Sequence, residues 1–135
     1  MSRPDRFVIL HYFWPAYLWG VIVLLLTGLP GNDLPMLPAF WDRFQPDKFV
    51  HMGMFGLLFV LLAGGSYYKG RHLALSKKLL YIYAFSVAAL GGLIELLQKW
   101  VFIGRSCDIL DFLADTVGVI LAFAFYKLVF EGKKK

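Results

Sequence analysis

Four long apolar stretches, separated by short polar segments, constrain this chain more than any other feature. They run approximately over residues 8–28, 49–68, 79–98 and 109–130. Each approaches the ~20 residues that a helix needs to cross a ~30 Å hydrocarbon layer. Backbone groups must satisfy one another inside lipid, and alternating strand patterns are absent from the sequence. The pattern therefore predicts an all-α membrane protein, a compact bundle of about four transmembrane helices.

The composition supports this prediction and leaves little room for a soluble catalytic domain. Of the 135 residues, 59% are hydrophobic and 17% are charged, whereas a soluble domain is usually just under half apolar and about a quarter charged. We expect one domain over residues 1–135. The net charge of +5 does not indicate nucleic-acid binding, because the basic residues lie in short clusters beside apolar stretches, as those at a lipid bilayer do.

The distribution of basic residues predicts how the chain is oriented. Ten lie in the N-terminal segment, in the loop between spans two and three, or on the C-terminal side: Arg3, Arg6, Lys69, Arg71, Lys77, Lys78, Lys127, Lys133, Lys134 and Lys135. The other two loops hold four: Arg43, Lys48, Lys99 and Arg105. The positive-inside rule places the first set in the cytoplasm. An even number of spans also puts both termini on one side, so we predict N-in, C-in.

Polar residues gather at the outer ends of spans two, three and four. Asp47 and His51 are four residues apart and therefore share a face of span two. Spacings of three and four residues likewise form a stripe of aspartates along span four. Together these spans and their flanks define a candidate polar pocket of nine residues: Asp47, Lys48, His51, Glu95, Gln98, Arg105, Asp108, Asp111 and Asp115.

Intramembrane carboxylates are costly and by default indicate a functional site, but several pocket residues have simpler interpretations. Asp47 and Asp108 could cap helices, and Gln98 could join two helices. His51 could be a hydrogen-bonded packing residue. An ion pair of Arg105 with Asp108 or Asp111 would serve a purely structural bundle.

The same residues allow several chemistries, and whether the chain is an enzyme stays open. His51 with Glu95 or Asp111 has the ingredients of general acid–base catalysis. One histidine with several carboxylates could also bind a divalent cation, but HExxH and comparable ligand spacings are absent. We therefore predict no metal and no other cofactor. Cys107 is the only cysteine, which excludes an internal disulfide and a multi-cysteine metal site.

The pocket residues belong to an ordered series of short motifs. The series consists of Leu29–Pro35 (LPGNDLP), Asp47–His51 (DKFVH), Glu95–Gln98 (ELLQ) and Gly104–Ser106 (GRS), followed by Asp108, Asp111 and Gly118. In this order and spacing it resembles the VanZ-like family of small bacterial membrane proteins, over roughly residues 20 to 125. The family commonly carries an asparagine where this chain has Asp115, so a possible charge is added at that position.

The resemblance implies a multi-pass protein of the bacterial cytoplasmic membrane. The name member of the family is linked to low-level resistance to teicoplanin, a glycopeptide that targets the outer-surface peptidoglycan precursor. Our leading hypothesis is an outward-facing pocket, centred on His51, Glu95 and Asp111, that binds a lipid-linked or glycopeptide ligand and contributes to teicoplanin tolerance. Lys48 and Arg105 would attract an anionic group such as a phosphate.

Two alternatives remain. One is an intramembrane hydrolase or transferase acting at head-group depth, with His51 as the base and a carboxylate that orients it. The other is a structural or assembly partner in the membrane. The oligomeric state is not predicted.

Overall fold

The computed structural model describes residues 6–28, 46–70, 75–100 and 109–131, which are helical almost throughout. Within these ranges four α-helices run over Arg6–Gly28 (α1), Pro46–Lys69 (α2), Lys77–Trp100 (α3) and Ile109–Tyr126 (α4), and a π-helical segment, Lys127–Glu131, continues α4. All four are long and apolar enough to cross a membrane. The prediction of an all-α membrane protein with four spanning helices is confirmed.

Local sequence explains where two of these helices begin. Pro46 opens α2, where the missing backbone N–H has no helical partner to lose. Asp47 follows in the first turn, where a carboxylate interacts favourably with the helix dipole. Ser76 precedes α3, and its hydroxyl accepts a hydrogen bond from the backbone N–H of Leu79 at 3.3 Å. Ser76 therefore caps the N-terminus of α3.

The central contact of the bundle is between α2 and α4, while α1 packs against α2, and α3 packs against both α4 and α2. Gly118 of α4 lies so close to the backbone carbonyl of Met52 in α2 that a Cβ at this position would overlap it. A Cβ at Gly56 would also lie 3.0 Å from the Gly118 carbonyl oxygen. Because these glycines lack side chains, the two backbones can approach closely. The contact lies one residue from His51 in α2 and three residues from Asp115 in α4.

Apolar side chains are distributed over both the inside and the outside of the bundle. Phe55, Phe59 and Leu80 are completely buried between helices. Large side chains such as Phe85 and Ile109 are 77% and 70% exposed, with many similar residues on the outer surface. In water such a surface would favour aggregation, whereas in a bilayer it contacts lipid tails. The pattern is that of a multi-pass membrane protein.

Hydroxyl groups hold together one end of the bundle. This end is formed by the C-terminal residues of α2, the N-terminal residues of α3 and the C-terminal part of α4. Ser66 and Tyr83 share a hydrogen bond of 2.5 Å between α2 and α3. The Tyr126 hydroxyl accepts a hydrogen bond of 3.2 Å from the backbone N–H of Leu75. We call this end the tyrosine end. The opposite end, where α1 and α3 finish and α2 and α4 begin, is the polar end.

Candidate functional site

Three helices carry ionisable side chains at the same level of the polar end. His51 comes five residues after the first residue of α2, Glu95 five before the last of α3, and Asp115 six after the first of α4. At ~1.5 Å per residue these side chains start ~8–9 Å inside the helix ends. All three are buried, with at most 6% of each residue exposed. We refer to them as the buried triad.

Within the triad, His51 is hydrogen-bonded to Asp115. The Nδ1 atom of the imidazole lies 3.0 Å from the Oδ1 atom of the carboxylate. If Asp115 is ionised, its carboxylate can only accept, so Nδ1 would donate this bond and a neutral ring would carry its lone pair on Nε2. In that tautomer Nε2 can take a proton.

The partner of His51 differs from the sequence-based expectation, which considered Glu95 or Asp111. The close contact at Gly118 brings α2 and α4 together just below Asp115, and so sets this aspartate beside the imidazole. Asp111 lies one turn further out along α4, and its carboxylate binds Lys48 instead. Asp115, the position at which the resemblance implies an asparagine, therefore contacts the histidine.

Asp111 pairs with Lys48, which forms a second polar link between α2 and α4. The Lys48 Nζ atom lies 2.6 Å from Asp111 Oδ1, and the two side chains are only 16% and 14% exposed. This short distance is typical of a charge-assisted hydrogen bond. Asp47 is 3.6 Å from the same ammonium, but its side chain is 60% exposed and lies at the rim. The Lys48–Asp111 pair therefore lies one turn outward of the His51–Asp115 pair.

Glu95 approaches this pair from α3. One carboxylate oxygen of Glu95, one oxygen of Asp115 and one imidazole nitrogen all lie within 4.8 Å of one another. Gly91, one turn before Glu95, leaves space for Asp115, because a Cβ at Gly91 would be 2.7 Å from Asp115 Oδ2. That oxygen is buried and has no hydrogen-bond partner within the part of the chain that the structure describes. The donor set is one that could hold a cation.

Gln98 has a different role from the triad. Its amide Nε2 donates a hydrogen bond of 3.0 Å to the backbone carbonyl of Thr27, at the end of α1. The Thr27 hydroxyl in turn donates to the Val23 carbonyl at 2.8 Å. Gln98 thus joins α3 to α1, as the simpler interpretation proposed. Thr27 was missed by the sequence analysis, because one threonine in an apolar stretch carries no distinctive signal.

Several sequence-predicted features lie outside the described residues. They are Arg105 and Asp108 of the predicted pocket, the motif Leu29–Pro35, and Cys107. Among the seven other pocket residues, five form two linked layers: Lys48 with Asp111, and the buried triad beneath them. Asp47 lies at the rim and Gln98 contacts α1.

Comparison with known families agrees with these motifs. The family model described as VanZ/LLP1 matches residues 32–130. No curated protein and no solved structure matches the chain. The family match covers more than two thirds of the sequence and includes all nine residues of the predicted pocket. The resemblance is thereby confirmed: the chain belongs to the VanZ/LLP1 family and is a VanZ-like multi-pass membrane protein.

Proposed function

We propose that the polar end of this protein is a pocket, open to the outer face of a bacterial cytoplasmic membrane, that binds an anionic lipid-linked ligand of the cell envelope. Such binding would contribute to tolerance of glycopeptides such as teicoplanin. The observation that carries the proposal is the stack of two polar layers, Lys48–Asp111 above the buried triad, between α2, α3 and α4.

Burial of ionisable groups supports a function beyond folding. Placing charge at membrane depth is unfavourable, and such residues in spanning helices are functional candidates by default. The tyrosine end joins the same three helices through hydroxyl and backbone groups. These helices are therefore also joined by neutral groups, independently of the charged side chains at the polar end.

The predicted orientation supports an outward-facing site. Ten basic residues on the predicted cytoplasmic side against four on the other favour N-in, C-in topology. With that topology the polar end faces outward. The triad, ~8–9 Å inside the helix ends, is close to the level at which a lipid-linked head group meets the hydrocarbon layer.

The outer layer supports an anionic ligand. Lys48 already binds one oxyanion, the carboxylate of Asp111, at 2.6 Å. A phosphate of the ligand could take the place of Asp111 in this contact, which exchanges one oxyanion for another. Arg105, just before α4 in sequence, is proposed as the second cation.

A tolerance assay tests this function directly. A glycopeptide-sensitive host would express wild type, His51→Ala, Glu95→Gln or Asp111→Asn, with membrane levels matched by immunoblot. Asp47→Asn is the matched control, because Asp47 is acidic and lies at the same end but is exposed. We expect protection by wild type and Asp47→Asn, and its loss in the other three variants.

Two results would contradict the proposal. Equal protection by all variants would mean that the polar end has only a structural role in the helix bundle. If even the wild-type protein gave no protection, this chain would not share the role in glycopeptide resistance that is linked to the family's name member. In that case, binding of a fluorescent lipid-linked peptidoglycan precursor to purified protein would show whether the pocket takes such a ligand without conferring tolerance.

The orientation has its own test. Cys107 is unique, and an impermeant maleimide should label it in intact spheroplasts. The control is Ser76→Cys in a Cys107→Ser background, since Ser76 is exposed at the tyrosine end. This cysteine should react only after lysis. The reverse pattern would overturn the N-in, C-in topology and the outward pocket with it.

The hydrogen bond between His51 and Asp115 favours a second candidate function. A histidine whose Nδ1 is held by a carboxylate is arranged to act as a general base through Nε2. An intramembrane hydrolase or transferase would use His51 as the base and Asp115 to orient it. Purified protein should then turn over a lipid-linked phosphate ester with a pH-dependent rate that is lost in His51→Gln. Lack of turnover by wild type would reject this alternative.

A further inference from the structure

We propose that His51, Glu95 and Asp115 form a binding site for one divalent cation, of the Zn²⁺ or Mn²⁺ class, between α2, α3 and α4. This inference goes beyond the proposed ligand pocket and does not depend on it, because the triad lies one turn deeper than the Lys48–Asp111 pair. The sequence alone predicted no metal site.

The first argument is the donor set and its geometry. One nitrogen and two carboxylate oxygens lie within 4.8 Å of one another. Imidazole suits zinc and iron, and carboxylates suit manganese and magnesium, so a mixed set favours zinc or manganese. Ligand atoms bound at ~2.0–2.1 Å around one zinc ion are roughly 3.4 Å apart. The ion would replace the proton between His51 Nδ1 and Asp115, and small side-chain rotations that close the longest separation by about 1.5 Å would complete the site.

The second argument is the position of Asp115, which is 1% exposed. Its Oδ1 atom contacts His51 at 3.0 Å, while its Oδ2 atom is turned toward α3 beside Gly91, one turn from Glu95. This buried Oδ2 has no hydrogen-bond partner among the described residues. Leaving a buried acceptor unsatisfied is unfavourable. A cation between α3 and Asp115 would satisfy it.

The third argument is charge balance. With both carboxylates ionised and the imidazole neutral, the three side chains would have a formal charge of −2, which one bound divalent cation would cancel. Because the triad is buried at membrane depth, such neutralisation is favourable there. Protons are the competing way to neutralise the same side chains, so a binding experiment must separate metal from protons.

The experiment uses the full chain, purified in detergent with an affinity tag that contains no histidine. The protein is incubated with ZnCl₂ or MnCl₂, freed of unbound metal, and its metal content is measured by mass spectrometry. Binding of Mn²⁺ is also titrated by electron paramagnetic resonance. We expect about one ion per chain, and an affinity at least ~10-fold lower in His51→Gln and Glu95→Gln.

Matched controls separate this site from surface binding. His11→Gln removes an exposed histidine of α1, and Asp47→Asn removes an exposed carboxylate at the same end. Both should bind metal as wild type does. Metal should also raise the unfolding temperature of wild type and both controls, but not that of His51→Gln.

The inference is overturned if wild type retains less than about a tenth of an equivalent of either metal, against the full equivalent a closed site would hold. It is also overturned if the control variants lose metal to the same degree as the triad variants. Should a triad variant fail to fold, the Mn²⁺ titration of wild type is compared with those of the two control variants, and reduced binding in either control overturns the inference. A wild-type protein that binds metal but gives no glycopeptide protection would contradict only the proposed function.

Discussion

The two ends of the bundle are held together by different chemistry. At the tyrosine end, Ser66 bonds to Tyr83, and Tyr126 bonds to the backbone at Leu75. At the polar end, Lys48 bonds to Asp111 and His51 bonds to Asp115. Burying a hydrogen-bonded pair of neutral groups costs little free energy, whereas burying charged groups costs much more. The comparison predicts that the charged groups of the polar end are not needed to form the bundle.

A substitution at the contact between α2 and α4 should have the largest effect, because it would disrupt both ends. Gly118→Leu would drive a side chain into the backbone at Met52. We expect a loss of ~3 kcal/mol or more, or no folded protein. The measurement is the monodisperse fraction on size exclusion and the unfolding temperature in detergent.

The matched control is Gly53→Leu, in α2, because a Cβ at Gly53 meets nothing within 4 Å. This variant should fold as wild type does. Equal stability of the two leucine variants would show that the close approach at Gly118 does not define the bundle.

The next effect tests whether the buried pair is needed for folding. Asp115→Ala leaves the Nδ1 group of His51 buried without its partner, which should cost ~1–3 kcal/mol. The double variant His51→Leu/Asp115→Ala removes both polar groups and should recover most of that loss. Thermal unfolding followed by tryptophan fluorescence measures both. If the double variant is less stable than the single one, the pair is a structural element and the contrast between the ends disappears.

A smaller effect is expected at the tyrosine end. Tyr126→Phe removes the hydroxyl that accepts from the N–H of Leu75 and should lower stability by ~0.5–1.5 kcal/mol. Glycopeptide protection should be unchanged, because the hydroxyl lies at the far end from the triad. Reduced protection at normal membrane levels would mean that the two ends are coupled.

The smallest effect is expected for Asp47→Asn at the rim of the polar end. Its carboxylate is 3.6 Å from Lys48 but largely exposed, and such pairs contribute little. We expect no measurable change in unfolding temperature or in protection. A loss of protection would extend the functional pocket outward to the rim.

The sequence by itself determined the four spanning helices and the family. Apolar runs of about twenty residues require helices in lipid, since no other local structure satisfies the backbone there. Helical spacing also placed His51 one turn below Asp47, and Asp115 one turn below Asp111. These are local properties of one helix, so they follow from the order of residues. The predicted orientation and the outer loops remain predictions.

Only the tertiary structure decided which side chains meet. The rotation of each helix about its axis, and its distance from its neighbours, depend on packing at positions such as Gly118 and Gly91. That packing pairs His51 with Asp115 rather than with Glu95 or Asp111, engages Lys48 with Asp111, and joins Gln98 to Thr27. Periodicity states which face a residue occupies, but only contact between helices selects its partner.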